Sequence, residues 1–202
     1  MSANAKPKIT AEMREGWDKA LRVAAGKGDL TEIRRLRNLG ANMKGADENG
    51  WTVLHWAAMS GNVDLGKYLC YSAKVKPFER DKLGYQALVW AIEFDQSDFG
   101  MWLFEALGGT MPLDEPHLDG RTTRDIAYAR RMNNSMYMFF DGWSKLPEAS
   151  QKAAREKHEE DRKVFVKADA EAVKALHFRR KESKEYGEQA IRDKEFLDQE
   201  NV

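Results

Sequence analysis

The chain has 202 residues, of which a third are charged, and its 33 Lys and Arg are balanced by 33 Asp and Glu. This neutrality argues against a global electrostatic attraction to nucleic acid or to an anionic membrane. The single cysteine, Cys70, excludes an intramolecular disulfide. No apolar run approaches the roughly 20 residues of a membrane span, and residues 1–10 lack the apolar core of a secretory signal. We therefore expect no nucleic-acid partner and no transmembrane segment.

Similar segments recur along the first two thirds of the chain. The pattern Leu-x-x-Ala-Ala-x-x-Gly at residues 21–28 returns at residues 54–61. Glycines also recur at intervals of 33, 34 and 36 residues, from Gly28 to Gly61, from Gly50 to Gly84 and from Gly84 to Gly120. Self-similarity with a period of this length is the signature of a repeat architecture.

The first unit covers residues 13–46. The small side chains of Ala24 and Ala25 in its first helix allow another helix to approach closely. Gly28 is predicted to end that helix, because glycine adopts the left-handed conformation without a Cβ penalty. Asp29 can cap the second helix, whose predicted apolar stripe is Leu30, Ile33, Leu36 and Leu39.

The second unit, residues 47–76, carries the clearest motif. A turn signal, Asp47-x-x-Gly50, leads into Gly50-Trp51-Thr52-Val53-Leu54-His55-Trp56-Ala57. This segment resembles the ankyrin-repeat pattern G-x-T-P-L-H-x-A, with Val53 in place of the proline. The resemblance implies an all-α fold, namely a solenoid of about four helix-turn-helix units with short hairpin loops. It also implies that His55 makes structural hydrogen bonds between repeats.

The third and fourth units follow the pattern less closely. The third begins at Asp81 and has Asp95 where the turn glycine should be. The fourth, at residues 119–127, resembles the T-P-x-D-x-A variant seen in last repeats, and its second helix is expected over residues 135–140. The segment Asp141-Gly142-Trp143 is then expected to break the pattern. The resemblance therefore covers residues 13–143, after a tail of residues 1–12.

Residues 144–202 differ in composition and are expected to form a charged helical arm. Neither Pro nor Gly occurs between Glu148 and Tyr186, and strong helix formers dominate, which predicts one long helix. Opposite charges four residues apart, as in Lys152 and Glu156 or Arg155 and Glu159, favour this helix. Because helical stability normally requires an apolar face to be packed, we expect the arm to dock on a partner. The alternatives are that it lies on the solenoid or that it is frayed when alone. Its sparse apolar seam runs through Ala154, His158, Asp161, Phe165, Ala168, Ala172 and Leu176.

The residue types that catalyse reactions or bind metals occur without a supporting pattern. His158 lacks the second histidine of an H-E-x-x-H zinc motif, and both His158 and His177 are interpreted as polar positions on the arm. His117 lies in a Pro-containing loop, where a solvated residue is favoured over a metal ligand. Cys70 falls in an apolar helical stripe and is expected to be a small core residue. We therefore predict no catalytic residue, no metal and no cofactor.

In the ankyrin pattern, the hairpin tips and the turn end of each first helix line a concave surface that varies with the partner. Matching by position places aromatic and apolar side chains there, and interface centres favour such residues. The alternative is that these aromatics pack on one another or under the arm. Trp56, Trp90 and Trp102 are expected in the core. Together with two residues of the arm, the predicted partner-binding residues are Glu48, Asn49, Trp51, Met59, Lys82, Leu83, Tyr85, Phe94, Arg121, Arg130, Phe165 and Leu176.

These patterns favour a non-catalytic protein–protein interaction protein that serves as an accessory or assembly subunit of a larger eukaryotic complex. It would bind protein partners through the concave face and the arm. One alternative is a free regulatory adaptor that binds transiently. Another is a membrane-surface protein that uses the arm as an amphipathic helix, although zero net charge and a thin apolar seam count against it. An intracellular, cytoplasmic location is the default expectation, with mitochondrion or plastid as alternatives.

Overall fold

The structure is a computed structural model that describes the backbone of residues 10–130 and 135–200 and the side chains of residues 10–130 and 135–175. Within these ranges the chain is mostly helical and forms no β-strand, which confirms the predicted all-α class. None of the helices described is long and apolar enough to cross a membrane. The helices are α1 (Ala11–Gly26), α2 (Leu30–Leu39), α3 (Val53–Ser60), α4 (Val63–Lys67) with a following π-helical turn (Tyr68–Ser72), α5 (Ala87–Glu93), α6 (Ser97–Ala106), α7 (Thr123–Ala129), α8 (Met136–Lys145) and α9 (Glu148–Glu200).

The first eight helices form stacked pairs, as the repeat period predicts. The first helices of the pairs follow one another, since α3 packs against α1, α5 against α3 and α7 against α5. The second helices form a parallel row, in which α6 packs against both α4 and α8. Small side chains such as Ala25, Ala57, Ala58 and Ala91 are fully buried between the first helices. Their size lets the helix axes approach closely, so each pair buries its apolar surface against the next.

Local sequence signals fix where these helices begin and end. The side chain of Asp29 accepts a hydrogen bond from the backbone N–H of Glu32 at 3.0 Å and so caps α2, as predicted. Gly28 ends the preceding helix in the left-handed conformation, with φ of +70°. Ile33 and Leu36 form the buried stripe of α2. Leu39 was predicted to belong to it, but this last residue of the helix is exposed.

Asp95 occupies the left-handed turn position that glycine fills in the preceding repeats. Its φ is +58°, close to the +69° of Gly61 one repeat earlier. The turn geometry is therefore preserved although the residue type is not. A residue with a Cβ adopts this conformation at a cost, which is smaller for Asp and Asn than for most other residues.

The last helix of the stack is longer than the sequence predicts. The expected break at Asp141-Gly142-Trp143 is wrong, because α8 continues through all three residues to Lys145. Trp143 is buried, and its ring centroid lies 5.6 Å from that of Phe104 in α6. Burial of this large ring outweighs the low helix propensity of Gly142.

The arm begins where the sequence predicts and extends further. Helix α9 starts at Glu148 and continues through Gly187 to Glu200. Contacts divide the chain into two compact units, Met1–Arg162 and Lys163–Val202, so the first turns of α9 belong to the unit that holds the stacked pairs. The second unit is the remainder of the long helix.

Replacing Asp95 with Gly should stabilise the protein, because glycine adopts the left-handed conformation of this turn without the steric cost of a Cβ atom. We expect the free energy of unfolding to rise by about 0.5 kcal/mol, since the relief of strain exceeds the added entropy of the unfolded chain. Gly61→Ala is the matched opposite change and should lower the free energy by about 1–2 kcal/mol, because its Cβ would also overlap the side chain of Gln96. Urea denaturation of both variants measures the difference. Destabilisation by Asp95→Gly would show that the aspartate side chain itself supports the turn.

Candidate functional site

Three hairpins with the same hydrogen-bond pattern connect successive pairs. Each closes through a backbone bond from its first residue to the fifth: Asp47 N–H donates to Trp51 at 3.0 Å, Asp81 N–H to Tyr85 at 2.9 Å and His117 N–H to Arg121 at 2.8 Å. Neighbouring hairpins are also joined to each other. Lys82 N–H donates to the carbonyl of Asn49 at 2.9 Å, and Leu118 N–H to that of Leu83 at 3.2 Å. The hairpins therefore form one continuous edge in register with the helices.

The carboxylate of Asp81 joins two hairpins and the first helix α5. One oxygen, Oδ1, accepts the backbone N–H groups of Leu83 and Tyr85, both at 2.9 Å, and thereby shapes its own hairpin. The other, Oδ2, accepts the indole N–H of Trp51 from the preceding hairpin at 3.0 Å and that of Trp90 from α5 at 2.8 Å. Asp81 is buried, so these four donors supply the solvation that its carboxylate has lost.

Four aromatic side chains form a continuous row along this part of the stack. Trp51 lies between Trp56 and Trp90, with ring centroids 5.1 and 4.4 Å away, and Phe94 lies 6.1 Å beyond Trp90. We call Trp56, Trp51, Trp90 and Phe94 the aromatic row. The three indoles are half-buried, whereas Phe94 is 43% exposed. The indole N–H of Trp56 is bound to Asp47 at 3.3 Å, so all three indole N–H groups are bound within the protein. The aromatic surface that the row presents to a binding partner therefore has no hydrogen-bond donor.

Tyr85 lies behind the row and links the second hairpin to the third. Its ring is buried, 5.8 Å from Trp90 by ring centroids. Its hydroxyl donates to the carboxylate of Asp119 at 2.6 Å and accepts from the guanidinium of Arg121 at 2.7 Å. The hydrogen bond from Tyr85, together with that from Arg121, lowers the pKa of Asp119 to about 2. The network fixes the ring of Tyr85 against the stack.

His55 has the inter-repeat role that the resemblance implies. Its Nδ1 accepts the backbone N–H of Thr52 at 3.0 Å, so the ring proton must be on Nε2, which faces the carbonyl oxygen of Tyr85 at 3.2 Å. The histidine thus completes the capping box of α3 and binds the next hairpin. Burial lowers the pKa of His55, which favours the neutral ring. The structure thus gives His55 a structural role in joining successive repeats.

Comparison with known families decides what these stacked pairs are. The family model described as ankyrin repeats (3 copies) matches residues 21–112. Residues 21–112 of this chain are therefore ankyrin repeats. The pair α7 and α8 lies beyond the matched residues but repeats the hairpin pattern and packs on the third ankyrin repeat. An ankyrin-repeat domain is a protein–protein interaction module.

Similar proteins share only this repeat region. The rat protein "Glutaminase liver isoform, mitochondrial" is 36% identical over 72 residues, which are 36% of this chain and 12% of that protein. The human "Ankyrin repeat domain-containing protein 40" is 39% identical over 57 residues, or 28% of this chain and 16% of the relative. "Protein VAPYRIN-LIKE" of Medicago truncatula is 38% identical over 47 residues, or 23% and 10% of the two chains. The chain thus spans a small fraction of each relative, and its ankyrin repeats are what it shares with them.

The structure brings some of the predicted partner-binding residues together through the aromatic row. Trp51 and Phe94 are both in the row, and Leu83 at the neighbouring hairpin tip is 51% exposed. Met59 is half-buried, and Tyr85 is buried against the ankyrin stack. Phe165 is half-buried on α9 in the second unit, and the side chain of Leu176 lies outside the described residues. The remaining predicted residues of the repeats are exposed, namely Glu48, Asn49, Lys82, Arg121 and Arg130.

Two members of the row were assigned to the core by the sequence. That prediction is wrong for Trp56 and Trp90, which are half-buried at the surface of the first helices, whereas Trp102 is buried as expected. The signal was present, since Trp56 and Trp90 are 34 residues apart and so share one position in successive ankyrin repeats. Their place among buried leucines and alanines concealed it.

The interpretation of His117 as a solvated loop residue is also wrong. His117 is buried, and it starts the third hairpin at the position where Asp47 and Asp81 start theirs. Its Nδ1 lies 3.1 Å from the carbonyl oxygen of Gly84 and its Nε2 lies 3.2 Å from the hydroxyl of Thr123. Burial lowers the pKa of His117. Among the residues whose side chains are described, no group of three or more His, Cys, Asp or Glu could hold a metal ion.

The first turns of α9 are tied to the ankyrin stack by polar contacts. Arg155 donates to the carbonyl of Gly108, in the turn that follows α6, at 2.7 Å, rather than pairing with Glu159 as predicted. His158 lies 2.9 Å from Glu105. These contacts border a cleft of about 450 Å³ that Cys70 also lines. Cys70 is partly buried, and burial raises the pKa of its thiol to about 12, which excludes a reactive thiolate.

Asp81→Asn should weaken the ankyrin stack more than Asp47→Asn does. An amide at position 81 would direct its NH₂ group at the two indole N–H donors, whereas Asp47 is less buried and holds a single indole at 3.3 Å. We expect the free energy of unfolding to fall by about 2 kcal/mol for Asp81→Asn and by less than about 1 kcal/mol for Asp47→Asn. Urea denaturation followed by tryptophan fluorescence measures both. Equal losses in the free energy of unfolding would show that the bonds from Asp81 to two indoles add no stability beyond that of the hairpin.

Stability should also fall as the pH is lowered from about 7.5 to about 5. The pKa values of His55 and His117 lie below their usual value in the folded protein, so the unfolded chain binds more protons below about pH 6.5. Proton uptake therefore favours unfolding in this window, and the stability from the two neutral rings is fully present above it. Thermal denaturation at a series of pH values should show a falling Tm. A His55→Asn/His117→Asn variant should be less stable, and its Tm should depend less on pH. If the dependence of Tm on pH is unchanged in this variant, other groups cause the effect.

Proposed function

We propose that the chain is a non-catalytic accessory or assembly subunit of a larger eukaryotic complex. In this proposal it binds protein partners at two places. One is the aromatic row with the neighbouring hairpin tips of the ankyrin repeats, and the other is the long helix α9. We also propose the division into a tail (residues 1–12), a repeat domain (residues 13–143) and an arm (residues 144–202).

The observation that carries the proposal is the exposure of apolar groups on a pre-ordered framework. Phe94 and Leu83 are 43% and 51% exposed, beside three half-buried indoles whose N–H groups are already bound inside the protein. Rings held in this way lose little conformational freedom on binding. Aromatic side chains at the centre of a polar surround are the usual anchors of protein interfaces.

The length and polarity of α9 support the second contact. The helix runs over 53 residues, about 80 Å at 1.5 Å per residue. Its ion pairs, such as Lys152 with Glu156 at 3.9 Å, are exposed and contribute little to stability. Val164 on the same helix is 61% exposed. Two contacts carried by one chain raise the overall affinity, because binding at the first increases the effective concentration of the second.

Partner capture by the full chain and by two variants tests this function. A chain ending at Arg162 removes the second unit but keeps the contacts of Arg155 and His158. The variant Leu83→Ser/Phe94→Ala removes exposed apolar groups of the hairpin tip and row. We expect native affinity capture with quantitative mass spectrometry to show partners lost in each variant. Each should remain folded by circular dichroism, because the residues removed are exposed or outside the stack.

A matched control is Met138→Ala, which removes an apolar side chain that is 67% exposed on α8, outside the row and hairpin tips. It should retain every partner. Retention of all partners by the truncated chain would eliminate α9 as a contact. Retention by Leu83→Ser/Phe94→Ala would eliminate the row. Equal loss of partners in the control and in the row variant would show that capture depends on nonspecific contact with exposed apolar groups.

A further inference from the structure

We propose that the aromatic row receives an arginine side chain of the protein partner. This inference rests on the proposed function and specifies the chemistry of the contact at the ankyrin repeats. It follows from how the indoles are held, from the charges around them and from what the row leaves for a partner to bind.

The hydrogen-bonding groups of the row are directed into the protein. Trp51 and Trp90 donate to Asp81, and Trp56 donates to Asp47. A partner that needs a hydrogen-bond donor for a carbonyl or carboxylate finds none on these rings. What the rings do offer is π surface, whose negative face attracts cations.

The charges beside the row favour a cation as well. Two carboxylates lie at the indole N–H edges, and Glu48 at the hairpin tip and Asp95 next to Phe94 are exposed. Of the described cations in this region, Arg130 is paired with Glu93 and Arg121 with Asp119, and Lys82 lies at the hairpin tip. Among the described residues that bind the row or lie next to it along the chain, or that pair with these, five are acidic and two are basic, namely Asp47, Glu48, Asp81, Glu93 and Asp95 against Lys82 and Arg130. This local excess occurs in a chain of zero net charge, so it distinguishes the row from the surface as a whole.

Arginine fits these conditions better than lysine or an apolar side chain. Its planar guanidinium stacks on an aromatic ring and is more weakly hydrated than an ammonium group, so it is desolvated at lower cost. Its N–H groups also suit the exposed carboxylates of Glu48 and Asp95, which are hydrogen-bond acceptors. The chain already makes this kind of contact elsewhere, since Arg34 and Arg37 lie 5.2 and 5.6 Å from the ring centroid of Tyr68.

Nuclear magnetic resonance of the full chain tests the inference without a known partner. The six tryptophans give six indole N–H signals, which single Trp→Phe variants assign. The probe is N-acetyl-arginine amide, compared with N-acetyl-glutamine amide and N-acetyl-leucine amide at equal concentration. We expect saturable shifts of the Trp51, Trp56 and Trp90 signals with the arginine amide alone. The buried Trp102 and Trp143 should not respond and serve as internal controls.

Two variants assign the contributions of the ring and of the charges. Phe94→Ala should raise the Kd of the arginine amide about two- to fivefold, which is the range of an exposed cation–π contact. Glu48→Gln/Asp95→Asn should raise it by about twofold and reduce its salt dependence. Asparagine tolerates the left-handed conformation of residue 95, so the turn is retained.

Equal shifts with the arginine and glutamine amides, or no saturable shift with the arginine amide, would overturn the inference. Preferential binding of the leucine amide would assign an apolar occupant instead. These results are separable from the proposed function. If Leu83→Ser/Phe94→Ala loses a partner but the arginine amide does not shift the indole signals, the interaction site is supported and its cationic ligand is rejected. If that variant loses no partner, the interaction site itself fails.

Discussion

The carboxylate of Asp81 holds the side chains of two successive ankyrin repeats at once. It closes its own hairpin through the N–H groups of Leu83 and Tyr85, and it receives the indoles of Trp51 and Trp90. A buried carboxylate lowers stability unless it is fully hydrogen-bonded. The charge of Asp81 therefore needs all four donors, and the donors need the carboxylate as their acceptor. The same interaction orients the rings, fixes the hairpin and turns the donors of the row inward. The surface available to a partner is therefore a consequence of how this charge is solvated.

Much of the fold follows from short-range signals in the sequence. Asp29 caps α2, Gly28 and Gly61 turn the chain in the left-handed conformation, and His55 bonds to the next repeat. Each of these functions depends on a residue type at a fixed distance from its helix. Asp95 shows the limit of such matching, because the turn keeps its geometry although Asp stands where the pattern has Gly. A backbone conformation demanded by packing on both sides is retained with a less suitable residue.

Features that depend on long-range packing were harder to predict. The fourth unit was predicted to start at Asp119, whereas its hairpin starts two residues earlier at His117, where the other hairpins have Asp47 and Asp81. The end of α8 depends on the contact between Trp143 and Phe104, which no local pattern contains. Trp56 and Trp90 look like core residues along the chain, and only the stacking of repeats places them in a shared surface row. Prediction thus failed where a distant neighbour decides the environment.

The link through Asp81 also limits how this array can evolve. In many repeat proteins a unit can be excised, duplicated or exchanged for a consensus unit, because neighbours meet through generic apolar surfaces. Here Trp51 needs an acceptor from the following unit, and Tyr85 needs Asp119 from the one after that. A consensus unit inserted between them would leave the indole of Trp51 or the hydroxyl of Tyr85 without its acceptor. The second, third and fourth units are thus coupled by side-chain hydrogen bonds, so that a change to one constrains the next.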